Sequence, residues 1–257
     1  MVIENQVAPD SFAHPLKGNK EPLRCDAIVL HSGGMDSSLC LALALERFGK
    51  DRVLSVGFCY NQRHSVEIQA AQTIADHLGV QRHLIDILPI PGWEASSLVN
   101  TDLPIKQDGK IPNSFVVGRN GLFLMMAAPL LKAVGAKKAF IGVMELEGSN
   151  SGYPDCSRAY IDSVQKVIAL DIQDPDFSIE TPLISMSKFD TMQLADRLAL
   201  LDFLLLHTVT CYEGEPLLGC KKCPACLLRN EGVRDFYKTY PEKRAPEPYN
   251  LYIKGRT

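Results

Sequence analysis

The chain has 257 residues, enough for one sizeable core or a core with a small module attached. It is 46% hydrophobic and 22% charged, with a formal net charge of −3 and no dense Lys/Arg block, which speaks against a large nucleic-acid footprint. Its longest apolar run, Leu122–Leu131, is about one helix long and contains Pro129, too short and too broken for a membrane span. The first 24 residues are polar, hold three prolines and lack a positive segment followed by an apolar one; they read as a flexible arm, not a secretion signal. A reducing, cytoplasmic setting follows, where eight cysteines favour metal ligation over disulfides.

From Asp26 onward strands and helices alternate. Residues 26–31 (DAIVLH) form a short continuous apolar run, the pattern of a central parallel strand buried on both faces. A helix is predicted over Ser37–Phe48, a strand over Val53–Phe58, and a helix over Ser65–Leu78 closed by Gly79. A third strand covers His83–Ile87. Residues 88–118 are rich in proline and glycine and read as a long loop covering a site. Helix Asn120–Val134, strand Lys138–Val143, helix Arg158–Ala169, strand Ser178–Leu183 and helix Ser187–Leu200, with Ser187 as N-cap, complete the pattern. This alternation predicts a doubly wound parallel α/β sheet over residues 25–205, with a cysteine-bearing module and tail over 206–257.

Two segments carry chemistry. Neither GxxxxGK[ST] nor GxGxxG is present. Between the first strand and first helix stands His31-Ser32-Gly33-Gly34-Met35-Asp36-Ser37-Ser38. Two glycines allow a tight turn and close approach to a ligand, and the helix N-terminus offers N–H groups and a positive dipole end. Ser32, Ser37 and Ser38 add hydroxyls. Asp36 is out of place in a purely anionic site unless it meets a magnesium ion or holds the turn. The alternative is a plain glycine turn with Ser37 as helix cap.

Near the C-terminus, Cys211, Cys220, Cys223 and Cys226 have the spacing C-x8-C-x2-C-x2-C. Four thiolates at that spacing suit one tetrahedral zinc with no open position, hence a structural role; an iron–sulfur cluster is the main competitor. Cys25, Cys40, Cys59 and Cys156 are scattered and read as small buried side chains.

The phosphate-type loop SGGMDS resembles that of the ATP-pyrophosphatases, whose sheet is of the adenine nucleotide alpha hydrolase-like type. The ordered set HSGGMDSSLCL, YNQRHSVE, IPNSFVVGRN, SGYPDC, ETPL, Ser187-Lys188 and TCY…GCKKCPAC is similar to one family within them, the 7-cyano-7-deazaguanine synthases of queuosine-precursor biosynthesis. The resemblance runs from about Asp26 to Tyr237. It implies an ATP-dependent ligase that adenylates 7-carboxy-7-deazaguanine, aminates it with ammonia, adenylates the amide and releases the nitrile. It also implies magnesium with the ATP, one structural zinc per chain and a homodimer, with no nucleic-acid or membrane partner. Residues His31–Ser38 are expected to hold the nucleotide, Asp36, Arg119 and Lys188 to serve the adenylation chemistry, and Tyr60, Gln62, Arg63, His64, Glu145 and Tyr153 to meet the deazaguanine substrate.

The chain departs from the family pattern at Asn61, at Val117 and in a longer segment, Met144–Asn150, with Glu147 where aspartate is expected. These departures motivate two rivals. One is a paralogue that adenylates a deazaguanine carboxylate and transfers it to another amine, such as one on a protein. The other is a tRNA-modifying ATP-pyrophosphatase. A zinc-bearing scaffold without catalysis is a third reading, opposed by the intact SGGMDS loop.

Overall fold

The computed structural model describes residues 23–106, 111–146 and 152–255. The expected arm (1–24) and the Glu145–Asn150 loop therefore lie largely outside the described residues. Of the arm, Leu23 and Arg24 are described, and Leu23 packs against the core.

Five parallel strands form one sheet: β1 (Ala27–Leu30), β2 (Val53–Cys59), β3 (Gln81–Asp86), β4 (Lys138–Ile141) and β5 (Ser178–Glu180), in the order β3-β2-β1-β4-β5. β1 is central. Leu30 pairs with Val56 on one side and Ile141 on the other, and all four β1 residues are buried. Ala27 and Val29 point into one core and Ile28 and Leu30 into the other, because successive side chains of a strand leave opposite faces.

The first core packs α1 (Met35–Phe48), α2 (Val66–Leu78), α5 (Lys188–Arg197), α6 (Leu201–His207), α7 (Pro224–Thr239) and α8 (Tyr249–Ile253) against one sheet face. The second packs α3 (Arg119–Val134) and α4 (Arg158–Ile172) against the other. This is the doubly wound α/β arrangement. Strand order reverses at β1, so the crevice between the β1 and β4 loops is the topological switch point. None of the helices among the described residues is long and apolar enough to cross a membrane.

Several boundaries differ from the sequence pattern. α1 begins at Met35, two residues ahead of the expectation, with Gly34 as N-cap and no side-chain cap. The expected helix 187–200 ends at Arg197, and Ala199 takes a left-handed φ of 56° before α6 begins. Ser187 caps α5 as expected, in a reciprocal box with Asp190. α7 and α8 carry no advance expectation; their Val233, Phe236 and Tyr249 join the first core alongside Leu39 and Met192. Residues of the expected C-terminal module and of the α/β domain thus share one buried cluster.

Candidate active site

A cavity of about 290 Å³ opens at the switch point. The β1–α1 loop forms one wall. Gly33 takes a φ of +95°, and a Cβ there would sit 2.3 Å from the Glu67 carbonyl oxygen and 2.7 Å from the Ala71 nitrogen. The loop therefore lies directly on α2, and only glycine fits. Gly34 has an ordinary backbone (φ −80°, ψ 164°), and a Cβ there would have no neighbour closer than 3.6 Å. On the far side Gly142, just after β4, lets the two loops touch: its Cβ would fall 2.8 Å from the Ser37 nitrogen.

Hydroxyls knit the loop together. The Ser32 N–H donates to Ser37 Oγ (3.2 Å), and the Ser37 and Ser38 hydroxyls donate to the Gly34 carbonyl (3.1 and 2.8 Å). His31 lies beneath, buried, its Nδ1 3.1 Å from Ser55 Oγ and its Nε2 3.1 Å from Ser38 Oγ. Burial, reinforced by the nearby Arg82 cation, pushes its pKa down to about 3. It is a neutral prop. Arg82, unremarked in the sequence, reaches across Gly57 from β3 to donate to the His31 carbonyl (3.0 Å) and Ser55 Oγ (3.0 Å). Burial lowers its pKa to about 10.

Asp36 and Lys188 meet at the mouth of the loop. Lys188 Nζ donates to Asp36 Oδ2 at 2.7 Å and also approaches Met144 Sδ at 3.0 Å. Gly232 of α7 permits this: a Cβ there would sit 2.7 Å from Lys188 Cβ. Asp36 Oδ1 has no partner. A single orphaned carboxylate oxygen beside an anion cradle fits a magnesium ligand.

The opposite wall is aromatic. Tyr60 stands edge-on to Trp93 (5.7 Å between centroids), and its OH accepts from Arg119 Nη1 at 3.3 Å. Burial opposes the Arg119 charge, but Tyr60, Tyr153 and Asp155 outweigh it and hold the guanidinium above its usual range. The Tyr153 OH lies 2.8 Å from Ser114 Oγ and donates to the Tyr212 OH at 2.9 Å. Gln62 lines the cavity while its Oε1 accepts from the Tyr60 N–H at 2.9 Å.

Arg63 reaches the cavity but is engaged elsewhere. It holds Glu213 at 2.8 Å and three carbonyls, of Ser97, Asn100 and Leu103. It clamps the long loop to the cysteine segment. His64 lines the cavity with Nδ1 unpartnered, its ring packed on Gly214. Glu145 lies away from the cavity lining, its carboxylate accepting from the Arg158 N–H at the start of α4 (3.2 Å). Glu67 does line it. Burial pushes its carboxyl up to about 7, against the pull of Arg119 and helped by Cys211. Glu67 sits inside the YNQRHSVE segment, at the start of α2, and only the packing of that helix shows that it faces the cavity.

Five buried side-chain polar atoms among the described residues have no hydrogen-bond partner. Four of them, on Asp36, His64, Arg119 and Thr210, belong to residues lining this one cavity. Buried polar groups are almost always satisfied, so a cluster of orphans marks where a polar ligand belongs.

The four C-terminal cysteines bring their sulfurs within 4.8 Å of one another. A tetrahedron with 2.3 Å metal–sulfur bonds needs sulfurs about 3.8 Å apart, so the set fits zinc. The Cys220 N–H donates to Cys211 Sγ (3.4 Å) and the Cys223 N–H to Cys220 Sγ (3.2 Å). A Cβ on Gly219 would fall 2.3 Å from Cys226 Sγ, so only glycine closes this knot. None of the eight cysteines is in a disulfide. Thr210, Tyr212, Ala225 and Leu228, all adjoining the knot, line the cavity.

A doubly wound sheet, a serine–glycine loop opening a helix at its switch point and a four-cysteine knot define an α/β protein with a candidate phosphate cradle beside a candidate metal knot. The family described as "Queuosine biosynthesis protein QueC" matches residues 26–237, and the chain belongs to that family. The 7-cyano-7-deazaguanine synthase of Bacillus subtilis (strain 168) is 42% identical over 211 residues, covering 82% of this chain and 94% of that protein. Its counterpart in Lysinibacillus sphaericus (strain C3-41) is 41% identical over 216 residues, covering 83% and 96%. Among solved structures, the NMN synthetase of Francisella tularensis overlays with a TM-score of 0.45 and 13% identity, covering 90% of this chain and 84% of that one.

Proposed function

We propose that this protein is a 7-cyano-7-deazaguanine synthase, an ATP-dependent ligase that turns a deazaguanine carboxylate and ammonia into the nitrile. The observation that carries the reading is the convergence of orphaned polar atoms around the β1–α1 loop, in a chain 42% identical to such a synthase.

Adenylation asks a protein for charge neutralisation and alignment more than for covalent help. The uncapped N–H groups of α1 and the free side of Gly34 receive the phosphates of ATP. Lys188 and Arg119 approach the shared reaction centre from α5 and α3 and stabilise charge on the phosphates and on the substrate carboxylate. Asp36, pinned by Lys188 through one oxygen, keeps the other for magnesium, which when bound neutralises phosphate charge. Tyr60 and Tyr153 wall the base. Arg63, in this reading, positions the loop and cysteine segment rather than touching substrate. Cys211, Cys220, Cys223 and Cys226 hold a structural zinc that fixes Thr210 and Tyr212 in the cavity wall.

The same pocket serves two rounds, because a carboxylate and an amide are nearly isosteric. The acid is adenylated and ammonia displaces AMP to give the amide. The amide oxygen is then adenylated, and loss of AMP with the nitrogen's protons leaves the nitrile. The test is ATP–pyrophosphate exchange. The protein should exchange label only when 7-carboxy-7-deazaguanine or its amide is present, and exchange that needs neither would refute the reading.

A further inference from the structure

Two carboxylates line the cavity among the described residues, Asp36 and Glu67. Asp36 is paired with Lys188 at 2.7 Å. Glu67 has no hydrogen-bond or ion-pair partner among the described residues; its electrostatic neighbours are Tyr60, Arg119 and Cys211. Glu67 is half-buried and lines the cavity, so its unpartnered oxygens are open to donors that a ligand brings there.

The backbone around Glu67 is fixed. Its carbonyl lies beneath Gly33, so the first turn of α2 and the β1–α1 loop cannot shift separately. Glu67 therefore stands at a set place relative to both the phosphate cradle and the aromatic wall of Tyr60, Tyr153 and Tyr212.

A 7-deazaguanine carries two N–H donors side by side on its six-membered ring: in purine numbering, the ring N1–H and the exocyclic 2-amine. Its carboxyl group is on the five-membered ring. Two parallel donors match the two oxygens of one carboxylate. Cations around the cavity suit the phosphates and the substrate carboxyl; none can accept from those donors. Glu145, the carboxylate first expected to hold the base, is engaged with the Arg158 N–H. We infer that Glu67 is the specificity residue that reads the amino-pyrimidine edge of the base, its two oxygens accepting from N1–H and the 2-amino group. The inference rests on the deazaguanine reading above.

The test compares wild type and Glu67→Gln, using 7-carboxy-7-deazaguanine and its analogue lacking the 2-amino group. Acid-dependent ATP–pyrophosphate exchange is the readout. Gln keeps the size of the side chain but turns a donor toward the base. KM for the acid should rise roughly 10- to 100-fold, the loss expected when charge-assisted hydrogen bonds go. KM for ATP and the rate at saturating acid should stay within a few-fold. Wild type should disfavour the deaminated analogue by about 10-fold or more, and Glu67→Gln should lose most of that discrimination. An unchanged KM and unchanged discrimination would overturn the inference. So would a fall in rate at unchanged KM, which would put Glu67 on the reacting atoms instead. If the variant fails to fold, wild type decides alone: equal use of both acids overturns the inference. Wild-type exchange that ignores the acid would instead refute the deazaguanine reading.

Discussion

The two glycines of the β1–α1 loop should separate folding from nucleotide use. In Gly33→Ala the new methyl would meet the Glu67 carbonyl oxygen at 2.3 Å and the Ala71 nitrogen at 2.7 Å. Both are backbone atoms, so no side-chain rotation relieves the clash. Overpacking of this kind costs about 1–3 kcal/mol, and a non-glycine residue held at a positive φ adds roughly 1–2 kcal/mol. The sum is about 2–5 kcal/mol. In a domain of this size that lowers Tm by roughly 4–20 °C. Gly34→Ala differs, because its methyl has ordinary backbone dihedrals and no neighbour within 3.6 Å. Its Tm should stay within about 2 °C, by the usual scale of a substitution that breaks nothing. Its methyl, however, stands at the N-cap, where phosphate oxygens must approach the bare N–H groups of α1. Acid-dependent ATP–pyrophosphate exchange should fall by about 100-fold or more, as on loss of a transition-state donor. Thermal melts and exchange assays on both variants decide the matter. A Gly33→Ala protein melting like wild type would refute the packing argument, and a Gly34→Ala protein exchanging like wild type would refute the phosphate site.

Lys188→Met leaves Asp36 with both oxygens unpartnered and removes a cation from the cavity; exchange should fall about 10²- to 10³-fold, and an undiminished rate would place Lys188 outside the chemistry. Cys223→Ser should lose the metal, measured by elemental analysis as a fall from one zinc per chain, and exchange should drop too because Thr210 and Tyr212 flank the knot; iron and sulfide in the fresh protein would contradict zinc. His31 is held neutral with a pKa near 3 while the unfolded chain titrates near 6.5, so the unfolded state binds the extra proton between those values and stability falls as pH drops below 6.5. Urea unfolding should show wild type losing about 1.4 kcal/mol by pH 5.5 from this group, with His31→Asn giving a flatter acid limb; parallel curves would refute the neutral prop.

β1, β2 and β4 were legible as short apolar runs between turns, because burial on both faces leaves that imprint in sequence, whereas β3 (QRHLID) and β5 (SIE) are edge strands, partly exposed, and their bounds differ from the pattern. The start of α1 was not legible, since Gly34 caps it without a side chain and leaves no capping signal. α7 was hidden by its cysteines: Cys223 and Cys226 belong to the knot and to the helix end at once. The phosphate-type loop, Lys188 and Arg119, singled out because glycines, hydroxyls and cations fall in a recognisable order, line one cavity. Glu67, Arg82 and Thr210 were not singled out. Each reaches the cavity only through tertiary packing, Arg82 from a neighbouring strand across Gly57 and Thr210 from beside the cysteine knot. Glu145 shows the converse: a carboxylate in a suggestive segment that the fold spends on the N-terminus of α4.

The central claim is that one cavity activates an acid and then an amide. It is tested most directly by giving the purified protein 7-amido-7-deazaguanine and ATP with no ammonia, and reading the product by mass spectrometry. The account predicts conversion to the nitrile, with AMP and pyrophosphate released in equal amounts. An amide returned unchanged by protein that still adenylates the acid would contradict it, and would favour transfer of the acyl group to another amine.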